Sequence, residues 1–285
     1  MNPTESLLNI LQLDQLDECM YQGHTIDIGS RSVFGGQVLA QALHAATRTV
    51  PDDRLVHSLH GYFILPGDIQ EPIRYEVDPI RDGRSFTTRR VVAFQKDRAI
   101  FNMAASYQLE QEGLDHQIEM LNVPPPESLT SYSEIFKRFA KEFNYKPFGL
   151  FDPEAPIEVR PVEDINPFNP GKRRPFRHLW FRSRNALPDD KRIHREVMAY
   201  ASDFNLLITA ILPHDVQLFQ GKLKMASIDH AMWFHRDFRA DEWLLYAIDS
   251  PSASNARGFC RGSIFTRDGR LVASVTQEGL IRLVE

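Results

Sequence analysis

Two apolar runs without a polar face stand out along the chain. Residues 34–46 read Phe-Gly-Gly-Gln-Val-Leu-Ala-Gln-Ala-Leu-His-Ala-Ala, and residues 203–212 carry Phe204, Leu206, Leu207, Ile208, Ala210, Ile211 and Leu212 ahead of Pro213. A helix that is apolar on most sides must be covered on most sides, and proline stops the second run because it has no N–H to continue the ladder. The pattern predicts two buried helices, over 34–46 and 203–212.

Short β-rich segments separated by turns follow each run. Arg81-Asp82-Gly83-Arg84 divides residues 73–80 from 85–95, and Arg267-Asp268-Gly269-Arg270 divides 258–266 from 271–277. Asp-Gly supplies the positive φ that a tight hairpin needs, and consecutive hairpins make an antiparallel meander. The two regions also match each other. His60-Gly61-Tyr62-Phe63 aligns with His230-Ala231-Met232-Trp233, Ile73-Arg74-Tyr75-Glu76-Val77 with Leu244-Leu245-Tyr246-Ala247-Ile248, and both copies reach a glutamine, Gln108 and Gln277, after nearly equal intervals.

One apolar helix followed by a meander implies a sheet curled around the helix, the hotdog arrangement. A β-sandwich leaves the helices unexplained, and a doubly wound sheet needs helices between successive strands. The expected class is α+β, a double hotdog of two tandem units: residues 1–110, a connector over 111–155, and a second unit over 156–285. The stretch between the meanders is proline-rich, with Pro124-Pro125-Pro126, a helix-like run over 131–143, and prolines at 147, 153, 156, 161, 167, 170 and 175. Residues 157–162 and 176–181 read as strands of the second sheet, with proline at edges and turns.

A chain of 285 residues can bury two cores of ordinary size, and its 42% hydrophobic and 25% charged residues are those of a globular protein. The net charge of −5 and pI near 6.1 speak against nucleic acid as a partner. Lys172-Arg173-Arg174 with Arg177 reads as a solvated basic loop. Two cysteines, Cys19 and Cys260, make neither a disulfide framework nor a zinc site. No run resembles a leader or a membrane span, and Leu283-Val284-Glu285 is not a peroxisomal address, so a cytoplasmic protein is expected.

Candidate chemistry centres on Tyr200-Ala201-Ser202-Asp203-Phe204-Asn205. Ser202 or Asp203 at a helix start suits an N-cap. A carboxylate enclosed there can also orient and deprotonate a water while backbone N–H groups polarise a carbonyl. Ser227, which shares one face of a predicted strand over 226–230 with Asp229, and Gln277, at the end of the last strand, could hold that water. A serine hydrolase is disfavoured: there is no Gly-x-Ser-x-Gly elbow, and on one strand Ser227 and His230, three apart, face opposite ways. The pairs His57/His60 and His230/His235 fail as metal ligands for the same reason, and no metal is expected.

Collinear motifs give a resemblance from about residue 5 to about 280. Val33-Phe34-Gly35-Gly36-Gln37, Arg81 to Phe86, Tyr200-Ala201-Ser202-Asp203, Ser227-Ile228-Asp229-His230-Ala231-Met232-Trp233-Phe234-His235, Ser252 to Gly258 and Val275-Thr276-Gln277-Glu278-Gly279 resemble the acyl-CoA thioesterase II family. The resemblance implies hydrolysis of medium- to long-chain fatty acyl-CoA to fatty acid and coenzyme A. It also implies catalysis by Asp203, Ser227 and Gln277 acting on water, no cofactor beyond the coenzyme A of the substrate, and a homodimer or homotetramer.

Gln37 stands in the first copy where Asp203 stands in the second, so only the second copy is expected to be catalytic. His57, Arg257 and Gly258 are candidates for substrate contact. Two alternatives remain at this point: a hotdog enoyl-CoA hydratase, which would pair an Asp with a His, and a non-catalytic acyl-CoA sensor.

Overall fold

The computed structural model describes residues 2–143, 149–163, 166, 171–216 and 223–284, with the side chains of 139–143 excepted. Pro147, Pro167, Pro170 and Glu285, noted above, lie outside them. The chain opens with helix α1 (Pro3–Leu11), closed by a reciprocal capping box between Asn2 and Glu5. Short strands β1 (Asp14–Asp17) and β2 (Met20–Gly23) lead to helix α2 (Gly35–Thr47). The first meander is β3 (Arg54–Phe63), β4 (Ile73–Asp82), β5 (Phe86–Gln95) and β6 (Arg98–Leu109).

Helix α3 (Tyr132–Phe143) follows an extended stretch, then strands β7 (Ile157–Pro161) and β8 (Phe176–Ser183). Helix α4 (Lys191–Ser202), the four-residue α5 (Leu206–Thr209), and β9 (Leu223–Ser227), β10 (Asp229–Phe234), β11 (Leu244–Ser254), β12 (Arg257–Thr266) and β13 (Leu271–Leu283) complete the fold.

The thirteen strands among the described residues form one antiparallel sheet, ordered β1-β2-β4-β5-β6-β3-β10-β13-β12-β11-β8-β7, with β9 pairing the far end of β13. The two halves meet where β3 pairs β10, Gly61 opposite His230 and Leu59 opposite Met232. The architecture is the expected double hotdog. Helices α2 and α4 run against each other inside the sheet. Gly36 makes that crossing possible, since a Cβ there would stand 2.4 Å from the Tyr200 carbonyl oxygen.

The second helix is not where the apolar run predicts it. The long buried helix is 191–202, and Asp203 caps its C-terminal end. Residues 203–212 form only a turn, α5 and a 3-10 turn, broken by Asn205 at φ 68° and by Pro213. Helix α4 is not marked by an apolar run because it carries Arg195 and Glu196, which are buried nonetheless: Arg195 bonds the Val56 carbonyl and Asp237, and Glu196 pairs with His44 of α2 at 3.0 Å. Paired charges can be buried where lone ones cannot.

The internal repeat also needs rephasing. Inward residues of β3 include Leu59 and Gly61 while His60 faces out, yet in β10 His230, Met232 and Phe234 face in. An inward residue of β3, Leu59 or Gly61, and not His60, is therefore the counterpart of His230. Gln108 lies on the outward side of β6, between Tyr107 and the strand end, whereas Gln277 is wholly buried, so those glutamines are not equivalent. The C-terminal end of α2, capped by Arg48, matches Asp203 in the second copy, and Gln37 does not.

The two Arg-Asp-Gly-Arg turns also join non-equivalent strands, β4 to β5 and β12 to β13. Gly269 has φ 90°, but Gly83 is not in the left-handed region; its N–H bonds the Phe86 carbonyl instead.

Candidate active site

Asp203 sits where α4 ends, and a carboxylate there is poorly placed relative to its own helix, whose C-terminus carries the negative dipole end. The compensation comes from α2. Its N-terminus abuts Asp203 so closely that a Cβ on Gly35 would lie 2.7 Å from Asp203 Oδ2. The helix N-terminus beside the carboxylate is thus borrowed from the first half, and Gly35 is glycine because a side chain would fill that space.

The turn after Asp203 is locked by Asn205, whose short polar side chain tolerates the left-handed region. Asn205 Oδ1 accepts from Tyr132 Oη at 2.7 Å, and Tyr132 Oη in turn accepts from Arg177 at 2.6 Å. Helix α3 in the connector therefore braces the turn that carries Asp203.

Gln277 Nε2 donates to Asp203 Oδ1 at 2.6 Å and to Ser227 Oγ at 2.7 Å, and Ser227 Oγ donates to Asp203 Oδ1 at 3.3 Å. The amide orientation is fixed by this arrangement, since a flip would set Oε1 against the carboxylate. Three residues from α4, β9 and β13 form one closed cluster. This is the trio expected from the sequence.

His230 joins them, against the expectation from alternation. The chain changes strands at Ile228, whose N–H bonds the Glu278 carbonyl and whose carbonyl accepts from Phe63 N–H. That break resets the alternation, so Ser227 on β9 and His230 on β10 both point inward. His230 Nε2 lies 2.9 Å from Ser202 Oγ and Nδ1 lies 3.9 Å from Asp203 Oδ1. Full burial holds the imidazole down to about 4, which keeps the ring neutral near pH 7. The buried alternation His230-Met232-Phe234 was the sequence signal for it. Asp229 accepts from the Glu278 N–H at 2.6 Å and so pins the backbone beside Gln277.

The remaining candidates stand elsewhere. His57 Nε2 bonds Ser106 Oγ at 2.8 Å and its ring meets Phe86 edge-on, on the outer side of the sheet. Arg257 pairs with Glu278 at 2.8 Å. Gly258 is packed under the turn after α5, where a Cβ would meet Ala210 Cβ at 2.5 Å. None of these three shares a hydrogen bond with the cluster around Asp203.

Phe34 stacks on Phe204 with ring centroids 4.2 Å apart and meets Tyr200 edge-on at 5.2 Å. Beyond these rings opens a cleft of about 280 Å³, with Ile26, Ile28, Leu150, Ile157, Tyr200 and Phe204 on its apolar side and Asp27, Asp152 and Glu154 among its polar walls. Phe204, next to Asp203 in the chain, lines this cleft, whereas Asp203, Ser227, Gln277 and His230 do not.

Two hotdog units thus enclose a carboxylate, an amide and a hydroxyl closed on one another beside a helix N-terminus, and the class of protein they belong to is given by its relatives. Residues 149–280 match the family model described as acyl-CoA thioesterase, and residues 24–108 the model for its N-terminal domain. The chain is 41% identical to acyl-CoA thioesterase 2 of Haemophilus influenzae, covering 98% of each. It is 41% identical to acyl-coenzyme A thioesterase 8 of Mus musculus, covering 96% of this chain and 88% of the relative. The solved structure of acyl-CoA thioesterase II TesB2 from Mycobacterium marinum superposes with a TM-score of 0.80 at 43% identity, covering 98% of this chain and 99% of that one. The chain belongs to the acyl-CoA thioesterase II family.

Proposed function

We propose that this enzyme hydrolyses medium- to long-chain fatty acyl-CoA to the free fatty acid and coenzyme A through a water activated by Asp203, with no covalent intermediate. The observation that carries the reading is the bonding of Asp203 to both Gln277 and Ser227, 2.6 and 3.3 Å away. These bonds hold the carboxylate in one orientation, with Oδ1 turned toward Gln277 and Ser227 and Oδ2 toward Gly35.

The carboxylate takes a proton from water as the oxygen attacks the thioester carbon. Negative charge then develops on the carbonyl oxygen. The first turn of α2 offers N–H groups to meet it, since the Gly35 and Gly36 N–H groups precede the first intrahelical bonds. Collapse of the tetrahedral intermediate breaks the C–S bond and releases coenzyme A as a thiolate. A thiolate has a far lower proton affinity than an alkoxide or amide, so departure needs no strong general acid. The reaction uses no cofactor beyond the coenzyme A of the substrate.

The apolar side of the cleft, at Tyr200, Phe204 and Ile157, suits part of an acyl chain, although Asp27, Asp152 and Glu154 line it as well. No helix of the described residues is long and apolar enough to cross a membrane; a cytoplasmic enzyme acting as a homodimer or homotetramer completes the proposal. Light scattering would fix the number of subunits.

Free-thiol release from a series of acyl-CoA chain lengths is the direct test, and turnover should peak among medium and long chains. Thiol release absent throughout, with crotonyl-CoA losing its conjugated absorbance, would instead favour the hydratase, for which the proximity of His230 to Asp203 is the one supporting contact. Binding without either reaction would favour a sensor.

Ser227→Ala is expected to lower kcat about tenfold, because one Gln277 N–H loses its acceptor and a buried unpaired polar hydrogen costs about 1–1.5 kcal/mol. Ser227→Thr, which keeps the hydroxyl, should stay within about threefold of the parent; equal losses in both variants would deny the hydroxyl its part.

A further inference from the structure

Two buried polar atoms in this cluster have no hydrogen-bond partner among the described residues, His230 Nδ1 and Gln277 Oε1. Both belong to wholly buried side chains that converge on Asp203. The proton inventory around His230 decides what its free nitrogen is. Ser202 has one hydroxyl proton, and the Ala199 carbonyl lies 2.9 Å away with Met232 Sδ at 3.2 Å. Ala199 is in the last turn of α4, where carbonyls lack helical donors, and the Asp203 N–H that could reach it turns to Ala201 instead. The Ser202 proton therefore goes to the Ala199 carbonyl. Ser202 Oγ is left to accept from His230 Nε2–H, and Nδ1 of the neutral ring carries a lone pair.

That lone pair faces a carboxylate oxygen 3.9 Å away, too far for a direct bond and unfavourable as a bare acceptor-to-acceptor contact. The separation fits a shared water. Two acceptors bonded to one water at about 2.8 Å each stand about 4.5 Å apart across its tetrahedral angle, and closing that angle to about 90° brings them to the 3.9 Å seen here. Gln277 Oε1 lies at the other end of a planar amide whose Nε2 is already committed to Asp203 and Ser227. Of the two unpartnered atoms, His230 Nδ1 is the one that faces the carboxylate, at 3.9 Å.

We propose that His230 is a fourth catalytic group: its Nδ1 accepts one hydrogen of the attacking water while Asp203 accepts the other. With both hydrogens held, the oxygen lone pair is directed away from Asp203 and His230, toward the thioester carbon. No proton is transferred to His230 in the step. The Ser202 hydroxyl, by holding Nε2–H, fixes the tautomer that makes this possible. This inference rests on the Asp203 mechanism proposed above.

The test compares two isosteric replacements in the whole protein, assayed by thiol release from decanoyl-CoA. Glutamine places its amide where Nε2 was and keeps the Ser202 contact; asparagine places its amide near Nδ1. His230→Gln is expected to lower kcat at least about tenfold with KM within about twofold, and His230→Asn to recover a substantial part of that loss. A purely structural histidine gives the opposite ranking, with His230→Gln within about twofold of the parent, and that result overturns the proposal.

Should both variants fail to fold, nitrogen NMR of the parent labelled at histidine still decides. An unprotonated Nδ1 with a protonated Nε2 supports the assignment, and a protonated Nδ1 overturns it. Activity retained by His230→Gln while Asp203→Asn is inactive defeats this inference alone; activity retained by Asp203→Asn defeats the underlying mechanism.

Discussion

Asp203→Asn is expected to reduce kcat by about three orders of magnitude while KM changes less than about threefold, the size of effect that loss of a positioned general base produces. The substitution is nearly isosteric. An asparagine Oδ1 can still accept from Gln277 Nε2 and Ser227 Oγ, which donate at 2.6 and 3.3 Å in the parent, so the cluster should keep its shape. What disappears is the ability to take a proton from water. The measurement is steady-state thiol release, with circular dichroism to establish that the variant is folded. A folded Asp203→Asn enzyme turning over at the parent rate would exclude Asp203 as the base and with it the whole mechanism.

Gly36→Val should destabilise the protein by about 3 kcal/mol or more and lower Tm by roughly 5–10 °C. A Cβ at this position would meet the Tyr200 carbonyl oxygen at 2.4 Å and the Phe34 ring at 2.5 Å. The carbonyl belongs to the backbone of α4 and cannot swing aside, so the two helices must separate. Separation also withdraws the start of α2 from Asp203, and kcat should fall along with stability. Gly113→Ala is the matched control, because nothing lies within 4 Å of its added carbon. It should leave Tm unchanged. A tolerated Gly36→Val, judged by thermal melts, would mean that the helices do not cross as closely as described.

These two experiments probe parts of the molecule that were unequally visible beforehand. Asp203, Ser227 and Gln277 came from the family resemblance and were found closed on one another. Their setting was misread. Asp203 looked like the start of a helix because the apolar run 203–212 follows it, yet it ends α4, a helix whose buried Arg195 and Glu196 mask its interior character. The N–H groups imagined on its own helix belong to α2, more than a hundred residues earlier in the chain.

His230 was dismissed for a related reason. Spacing of three on a single strand does put side chains on opposite faces, but Ile228 separates two strands, and the register restarts at Asp229. A one-residue slip in pairing exchanges the faces of a strand. His60 and His230, identical in type, likewise occupy opposite faces of their strands, one exposed and the other buried.

By itself the sequence determined that this chain has a buried helix at 34–46, two antiparallel meanders, an internal duplication and the residue types for hydrolysis. Each of these follows from local periodicity, turn chemistry or collinear motifs, which a linear reading can count. The tertiary structure alone decided which end of which helix faces Asp203, the phase of the duplication, and the arrival of His230 beside the carboxylate. Those outcomes depend on strand register at the β3–β10 junction and on paired buried charges in α4, both set by partners far away in the chain.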